Sequence, residues 1–503
     1  MPRILYWIGQ NLIHFCLAKY MQEQFDAEYS AIIDCTNKPK VFFQNQQIVN
    51  FKKTWFYHDH FDNLNSKPDL DYLAKFEKKF NITLSKLSHN ERLFMEFNEF
   101  YNFSENEILC ILERECKLFE EVLENPPDFV LMFTPFFHHE ALFYNLCKFK
   151  NVKVLDIFQS RLPSRSVISL KDKLQKFNTF QNDDSFESFS DLRRYINNVA
   201  PKDNFGFQNQ DFQNSKKNLV KAGLNFLLNS DYKLPQTHYT YFGRTKFKVL
   251  QNYSMNSLKV KRRKKFIDNN FIFKPTGEKF VLYPLQLDSE SSLLINSPFH
   301  INQIEIIKNI AKSLPINYKL YVKEHPSAKY RNWRSIETYE KISSLPNVQL
   351  IHPEAEPNNF LEKASLIITI NSTVALDALL WGTPSMVFAN NSLDYQDWGY
   401  SIMSEIKKIP TFENLSPLIS KYIDSQVDLK AVTKFIKFLE EISFNSNLAT
   451  LVGKIDTVFQ YGGFLVDVDI SENQMNDFLK ENENLFSELV NAHVKEIKKE
   501  QLF

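Results

Sequence analysis

Glycine is scarce, with ten in 503 residues. The ten form no G-x-G-x-x-G turn, no P-loop and no G-x-S-x-G elbow, which excludes the chemistries built on those loops. Net charge is missing too. Lys+Arg and Asp+Glu number 60 each, so no global field recruits nucleic acid, and any anion site must be local. No stretch approaches the roughly 18–20 apolar residues of a membrane span. The apolar start at 4–8 breaks at Gly9-Gln10-Asn11 with no small-residue cleavage site, so a signal peptide is not expected. The five cysteines (Cys16, Cys35, Cys110, Cys116, Cys147) are odd in number and lack metal or redox spacing. A reducing cytoplasm is the expected compartment.

Phenylalanine is abundant, at 47 residues. With the many Lys and Asn, this fits a base-composition bias in which Phe replaces other core apolars, so single aromatics carry little information. The length exceeds what one core serves, and two or three domains are expected.

Apolar runs at 4–8 and 29–33 flank a helical pattern at 11–24, a βαβ opening. Residues 91–123 read as one long helix, stopped by Pro126-Pro127-Asp128. A strand at 129–133, a helix at 138–149 and a strand at 152–157 follow. From 171 to 274 the pattern loosens into turn-like polar stretches, with helices predicted at 190–198 and 216–228 and a basic run at 259–265. In the second half, strands at 280–283, 319–322, 348–351, 366–370 and 385–388 alternate with helices at 301–313, 336–343, 358–363 and 374–380. Such alternation predicts a parallel sheet wrapped by helices. The expected fold class is α/β, with two Rossmann-like domains facing a cleft. Domains are placed at 1–170 and 275–425, with a helical connector or partial lid at 171–274 and C-terminal helices at 426–503.

In open α/β sheets ligands meet the carboxyl ends of strands. One predicted strand ends in Tyr321-Val322-Lys323-Glu324-His325-Pro326, where Pro326 stops the ladder and presents His325 at the edge. Another ends in Asn371-Ser372-Thr373, whose hydroxyls and first-turn N–H groups offer a phosphate seat, though N-capping alone also accounts for them. Asp377 suits the following helix dipole or a ribose. Gln286 and Glu290 lie after the strand at 280–283 and are further ligand candidates.

In the first half, His138-His139-Glu140 opens a helix. Glu140 or His139 could serve as a general base, with helix-start polarity as the alternative. Asp156, Arg161 and Arg165 are comparable acceptor-side candidates. His58-Asp59-His60 with Asp62 has no second cluster at metal spacing, so an exposed polar loop is expected and no metal site.

The second-half residues Leu282-Tyr283-Pro284-Leu285-Gln286, the Lys323-Glu324-His325-Pro326 strand end, Leu345-Pro346-Asn347-Val348 and the run from Asn371 to Gly382-Thr383-Pro384 resemble the capsule polysaccharide biosynthesis family of bacterial glycosyltransferases. The His-Pro and Ser/Thr pair is also similar to the paired motifs of bacterial sialyltransferases and polysialyltransferases. The resemblance implies a GT-B-like fold. The second domain would hold a nucleotide sugar, CMP-linked, as substrate rather than cofactor, and the first a glycan acceptor. It implies that His325 contacts the CMP phosphate or cytidine, that Ser372 and Thr373 contact the phosphate, and that Asp377 contacts the ribose, with Lys323, Glu324, Asn371, Gln286 and Glu290 lining the donor site. Asn371 stands where many relatives have Gly, and Asp377 where Glu is common. The acidic pair followed by Gly that supplies the sialyltransferase base has no counterpart. The expected protein is cytoplasmic and meets the inner membrane or the polysaccharide export machinery only peripherally. A transferase using CDP-glycerol and a non-catalytic sugar-nucleotide-binding scaffold remain the alternatives.

Overall fold

The computed structural model describes residues 1–201, 239, 242–388, 400–459 and 470–501, except residues 10, 36, 62, 63, 65, 90, 95, 96 and 182–184. The chain divides into two compact units. Unit 1 comprises Met1–Leu170, Ala200–Lys246 and Glu440–Phe503; unit 2 comprises Lys171–Val199 and Phe247–Leu439.

Unit 1 carries β1 (Arg3–Ile8), β2 (Glu28–Ile33), β3 (Lys53–Phe56), β4 (Phe129–Phe133), β5 (Lys153–Gln159) and β6 (Arg165–Ile168). The strands β3-β2-β1-β4-β5 lie parallel in that order, and β6 joins β5 antiparallel. A parallel strand buried on both faces must be apolar throughout, and in β1 every residue after Arg3 is buried. The winding reverses between β1 and β4, which creates a topological switch point at their carboxyl ends.

The helix expected over 91–123 spans only Glu105–Val122. Two local devices stop it earlier. The Asn98 side chain accepts the N–H groups of Phe100 and Tyr101 at 3.1 and 3.3 Å, holding a turn that competes with helix. Ser104 and Glu107 then form a capping box, with the Ser104 N–H donating to the Glu107 carboxylate at 2.8 Å.

Unit 2 carries β7 (Phe280–Pro284), β8 (Lys319–Lys323), β9 (Val348–Ile351), β10 (Leu366–Thr369), β11 (Ser385–Val387) and β12 (Ile406–Lys408). All are parallel, in the order β12-β11-β10-β7-β8-β9. This is a doubly wound sheet with its switch point between β7 and β10. The fold class read from the sequence, α/β with two such sheets, is the one observed.

The helix Phe189–Val199, expected in a connector, packs within unit 2. Arg193 lies over the Trp381 ring at 3.8 Å and donates to the Leu380 carbonyl at 2.6 Å. Gly382, with φ of 75°, turns the chain there, and a Cβ on it would sit 3.1 Å from the Phe189 ring. The basic run at 259–265 lies in the helix Lys246–Asn270. The helix expected at 216–228 and the turns at 204–210 lie outside the described residues.

The C-terminal helices do not stand apart. A short strand β13 (Phe444–Asn445) pairs antiparallel with β6 and completes a seven-stranded sheet in unit 1. The helix Glu472–Glu500 buries Phe486, Leu489 and Val490 in the same core as Phe15 and Cys16 of the helix Ile13–Gln24. All five cysteines are buried and unpaired. Among the described residues no helix is long and apolar enough to cross a membrane.

Candidate functional site

In unit 2 the ends of β7, β8 and β10 are cross-linked by polar side chains. Across the switch point, the Gln286 Nε2 donates to the Asn371 Oδ1 at 2.8 Å. Asn371 in turn donates to the Ser292 carbonyl at 2.7 Å and the Ser297 hydroxyl at 3.0 Å. Gln303, which no sequence pattern marked, accepts the Gln286 N–H at 2.9 Å and donates to its carbonyl at 2.8 Å. The Gln286 Oε1 and Ser292 Oγ are buried with no hydrogen-bond partner among the described residues.

Glu324 is fully buried. Its carboxylate accepts the Tyr339 hydroxyl at 2.6 Å and the His325 N–H at 2.7 Å, and it forms an ion pair with Arg334. Arg334 also reaches Asp288 at 3.0 Å and the Gln286 carbonyl. These partners occupy Glu324 within the protein. Arg334 was invisible in the sequence, because a lone cation eleven residues past a strand end carries no pattern.

Lys323 donates to the Pro353 carbonyl at 2.9 Å, towards β9 rather than β10. Burial lowers it to about 8, against the pull of Glu324 and Glu356. The His325 Nδ1 accepts the Ser327 N–H at 3.1 Å, which places the proton of a neutral ring on Nε2. The Ser372 hydroxyl accepts the Val374 N–H at 3.3 Å, while its carbonyl accepts the Tyr400 hydroxyl at 2.8 Å. Thr373 precedes the helix Val374–Leu379 without a side-chain cap bond. That helix has six residues, so its dipole adds little to a phosphate seat. Asp377 is exposed on it, and Glu290 is half-buried at the head of the short helix Ser291–Leu294.

Unit 1 gathers a denser cluster at the carboxyl ends of its strands. Asp34 follows β2, and its N–H bonds the Ile8 carbonyl at the end of β1. Its Oδ1 meets the His58 Nε2 at 2.7 Å and its Oδ2 the His139 Nε2 at 3.2 Å. The exposed loop expected around His58 is therefore corrected, since His58 is buried and held by Asp34, while Asp59 pairs with Lys40 on the surface. Asp62 lies outside the described residues. The His139 ring stacks on Tyr57 and Phe137, with centroids at 4.7 and 5.5 Å. Beneath it, the His138 Nδ1 meets the Glu91 Oε2 and its Nε2 the Glu115 Oε1, each at 2.9 Å. Tyr57 donates to the same Glu115 oxygen at 2.5 Å.

Glu140 reaches back over the start of the helix His138–Phe149, its Oε2 accepting the N–H groups of Phe136 and Phe137 at 2.7 and 3.2 Å. Burial pushes its carboxyl up to about 7, against the opposing charge of His139. Burial would also raise Asp34, but hydrogen bonds from His139 and His58 hold it well below the carboxylate range. Burial would lower His138, yet Glu115 and Glu91 bring it up to about 10. Donor atoms of Asp34, His139 and Glu140 lie within 4.8 Å of one another. At that spacing the charge state of each influences the others. His138, with both ring nitrogens on carboxylates, has no lone pair for a metal. Asp156 is buried and accepts the Thr134 hydroxyl at 3.1 Å. Arg165 is spent on the returning C-terminal segment, at Ser443 and Asn445, and Arg161 is half-buried.

No curated protein matches the chain. Among solved structures it is similar to S. aureus MnaA with UDP, at 14% identity and a TM-score of 0.26, covering 94% of this chain and 99% of that one. It is similar to the Neisseria meningitidis UDP-GlcNAc 2-epimerase bound to UDP-GlcNAc at 14% identity and 0.26, covering 90% and 98%. The Thermosulfurimonas dismutans KpsC beta Kdo 2,4 transferase is similar at 10% identity and 0.32, covering 66% and 87%. A family model described as capsule polysaccharide biosynthesis protein matches residues 193–407, so it is to this family that the stretch carrying the unit 2 strand ends is similar.

Proposed function

We propose that the chain is a glycosyltransferase of bacterial capsule or surface polysaccharide synthesis. It transfers a sugar from a nucleotide donor, CMP-linked, to a glycan acceptor, working in the cytoplasm at the inner membrane surface. The carrying observation is a coincidence of position. The stretch similar to capsule biosynthesis proteins falls on the doubly wound sheet whose switch-point strand ends are polar and braced.

In this reading unit 2 binds the donor. His325, through its Nε2–H, stabilises the phosphate as it leaves, an electrostatic role that often dominates catalysis, and Lys323, held on the Pro353 carbonyl, contributes only its charge. Ser372 and Thr373 supply hydroxyls to the same phosphate, and Gln286 and Asn371 hold the two strand ends at fixed spacing. Asp377 and Glu290 flank the nucleotide, and Glu324 braces the His325 backbone. The acceptor and the base come from unit 1.

A thermal-shift screen with CMP, CDP, UDP, GDP and their sugars tests this. A binder present at about 100 times its dissociation constant stabilises by about 2.7 kcal/mol. CMP or a CMP-sugar is expected to shift the wild-type chain, and His325→Ala is expected to abolish that shift. No shift with any nucleotide overturns the reading. Release of CMP from CDP-glycerol, with none from CMP-sugars, would replace it with glycerophosphate transfer.

A further inference from the structure

We propose that Glu140 is the group that takes the proton of the acceptor hydroxyl, and that Asp34, acting through His139, sets the charge beside it. The choice follows from which atoms remain available. Both Asp34 oxygens are engaged by histidines. His139 directs Nε2 at Asp34, and its Nδ1 is buried with no partner among the described residues, so neither nitrogen meets a substrate from outside. His138 has both nitrogens on carboxylates, and Glu91 and Glu115 are sealed in the interior. Glu140 differs. It is half-buried, and two backbone N–H groups fix its Oε2 and so its orientation. Its Oε1 takes no hydrogen bond from a described residue.

The position is also right for a site, since Glu140 follows β4 and Asp34 follows β2, on the two sides of β1 at the carboxyl edge of the sheet. Around Glu140, the charged and titratable neighbours are His139 and His138 on its own helix, Asp34 after β2 and His58 after β3. The segment before the helix Glu105–Val122 adds Glu91 and Arg92, whose guanidinium donates to the Phe136 carbonyl at 2.9 Å and lies 4.8 Å from the Phe137 ring. A carboxyl near neutrality is suited to accept a proton at cellular pH. His139 lowers Glu140 more than Asp34 raises it.

The substrate named here rests on the transferase reading. The acceptor O–H bond breaks and its proton passes to the Glu140 Oε1. The acceptor oxygen forms the new bond to the sugar carbon, and the sugar–phosphate C–O bond breaks with its electron pair leaving on the nucleotide phosphate.

The test uses the full chain with Glu140→Gln and Asp34→Asn. Glutamine keeps an acceptor for the two cap N–H groups, so Glu140→Gln folds. It is expected to keep the nucleotide-induced thermal shift while nucleotide release to acceptor falls about 100- to 10,000-fold. The acid limb of the wild-type pH–rate profile, near pH 7, should vanish with it. Asp34→Asn strips His139 of its counter-ion, so Glu140 loses the larger, lowering influence. Its acid limb should move to higher pH with donor KM unchanged, a shift that a merely structural role would not produce. Wild-type turnover with the acid limb intact in Glu140→Gln overturns the assignment. If no nucleotide shifts the wild-type chain, the transferase reading falls, and carbon-13 carboxyl titration decides for Glu140 alone. A glutamate resonance titrating near pH 7 and missing from Glu140→Gln sustains it as a poised proton acceptor. No such resonance overturns it.

Discussion

Arg334→Met probes the brace beneath the unit 2 strand ends. The Arg334 side chain is 10% exposed and its partner Glu324 is fully enclosed. Methionine fills similar volume but leaves the Glu324 carboxylate with only the Tyr339 hydroxyl and the His325 N–H. Removing one member of a buried ion pair costs about 3–5 kcal/mol, because the remaining charge stays desolvated. The Asp288 contact adds little, since that carboxylate is 40% exposed and screened by water. For a unit of about 200 residues, each kcal/mol moves Tm by about 2–4 °C, so a fall of about 6–20 °C is expected in the unit 2 transition. Scanning calorimetry can follow the two units as separate transitions. In the double variant with Glu324→Gln the buried charge is gone, and at least about 2 kcal/mol should return. A loss under about 1 kcal/mol in the single variant, or no recovery in the double, would refute the reasoning. Because Glu324 holds the His325 N–H and Arg334 holds the Gln286 carbonyl, nucleotide affinity should fall along with stability.

Asn371→Ala leaves the Gln286 Nε2 and the Ser297 hydroxyl without their partner; a loss of about 2–4 kcal/mol in urea unfolding is expected. Gly382→Ala meets both a left-handed backbone and the Phe189 ring, so unit 2 should lose about 1–3 kcal/mol in the same assay. Glu91 sits at about 2 when folded, against 4.5 as the ordinary value. A depressed carboxyl contributes fully above pH 4.5 and loses its contribution as pH falls towards 2. The Tm of the wild type should therefore drop more steeply across that window than that of Glu91→Gln; parallel curves would contradict the His138 pairing.

The central strands of both sheets were legible because parallel strands buried on two faces must be nearly all apolar, as at 280–283 and 366–370, whereas the edge strands β3, β6, β12 and β13 are too short or too polar to stand out. Their polar ends were legible for the same reason, since His325 and Asn371 interrupt such runs. The helix at 91–123 was read too long because its apolar spacing continues upstream, where the Asn98 turn overrides periodicity. The unit 1 cluster was only partly legible. His139 and Glu140 are adjacent and drew attention, but Asp34, His58, Glu91 and Glu115 are scattered over some eighty positions. Only the strand order β3-β2-β1-β4 brings them together, and order is a tertiary fact with no local signature. Arg334 and Gln303 belong to the same class, being polar residues whose partners are distant in sequence.

The pairing of β13 with β6, and of the last helix with the first, sets a timetable for biosynthesis. A ribosome releases β1 to β6 of unit 1 before any strand of unit 2, yet their core lacks Phe486, Leu489 and Val490 until the helix Glu472–Glu500 emerges. Unit 2, encoded in between, has its whole sheet in hand sooner. Unit 1 thus depends on contacts between residues as far apart in sequence as Tyr20 and Leu479, and such contacts form slowly. A nascent chain halted before residue 440 would expose a large apolar face to chaperones.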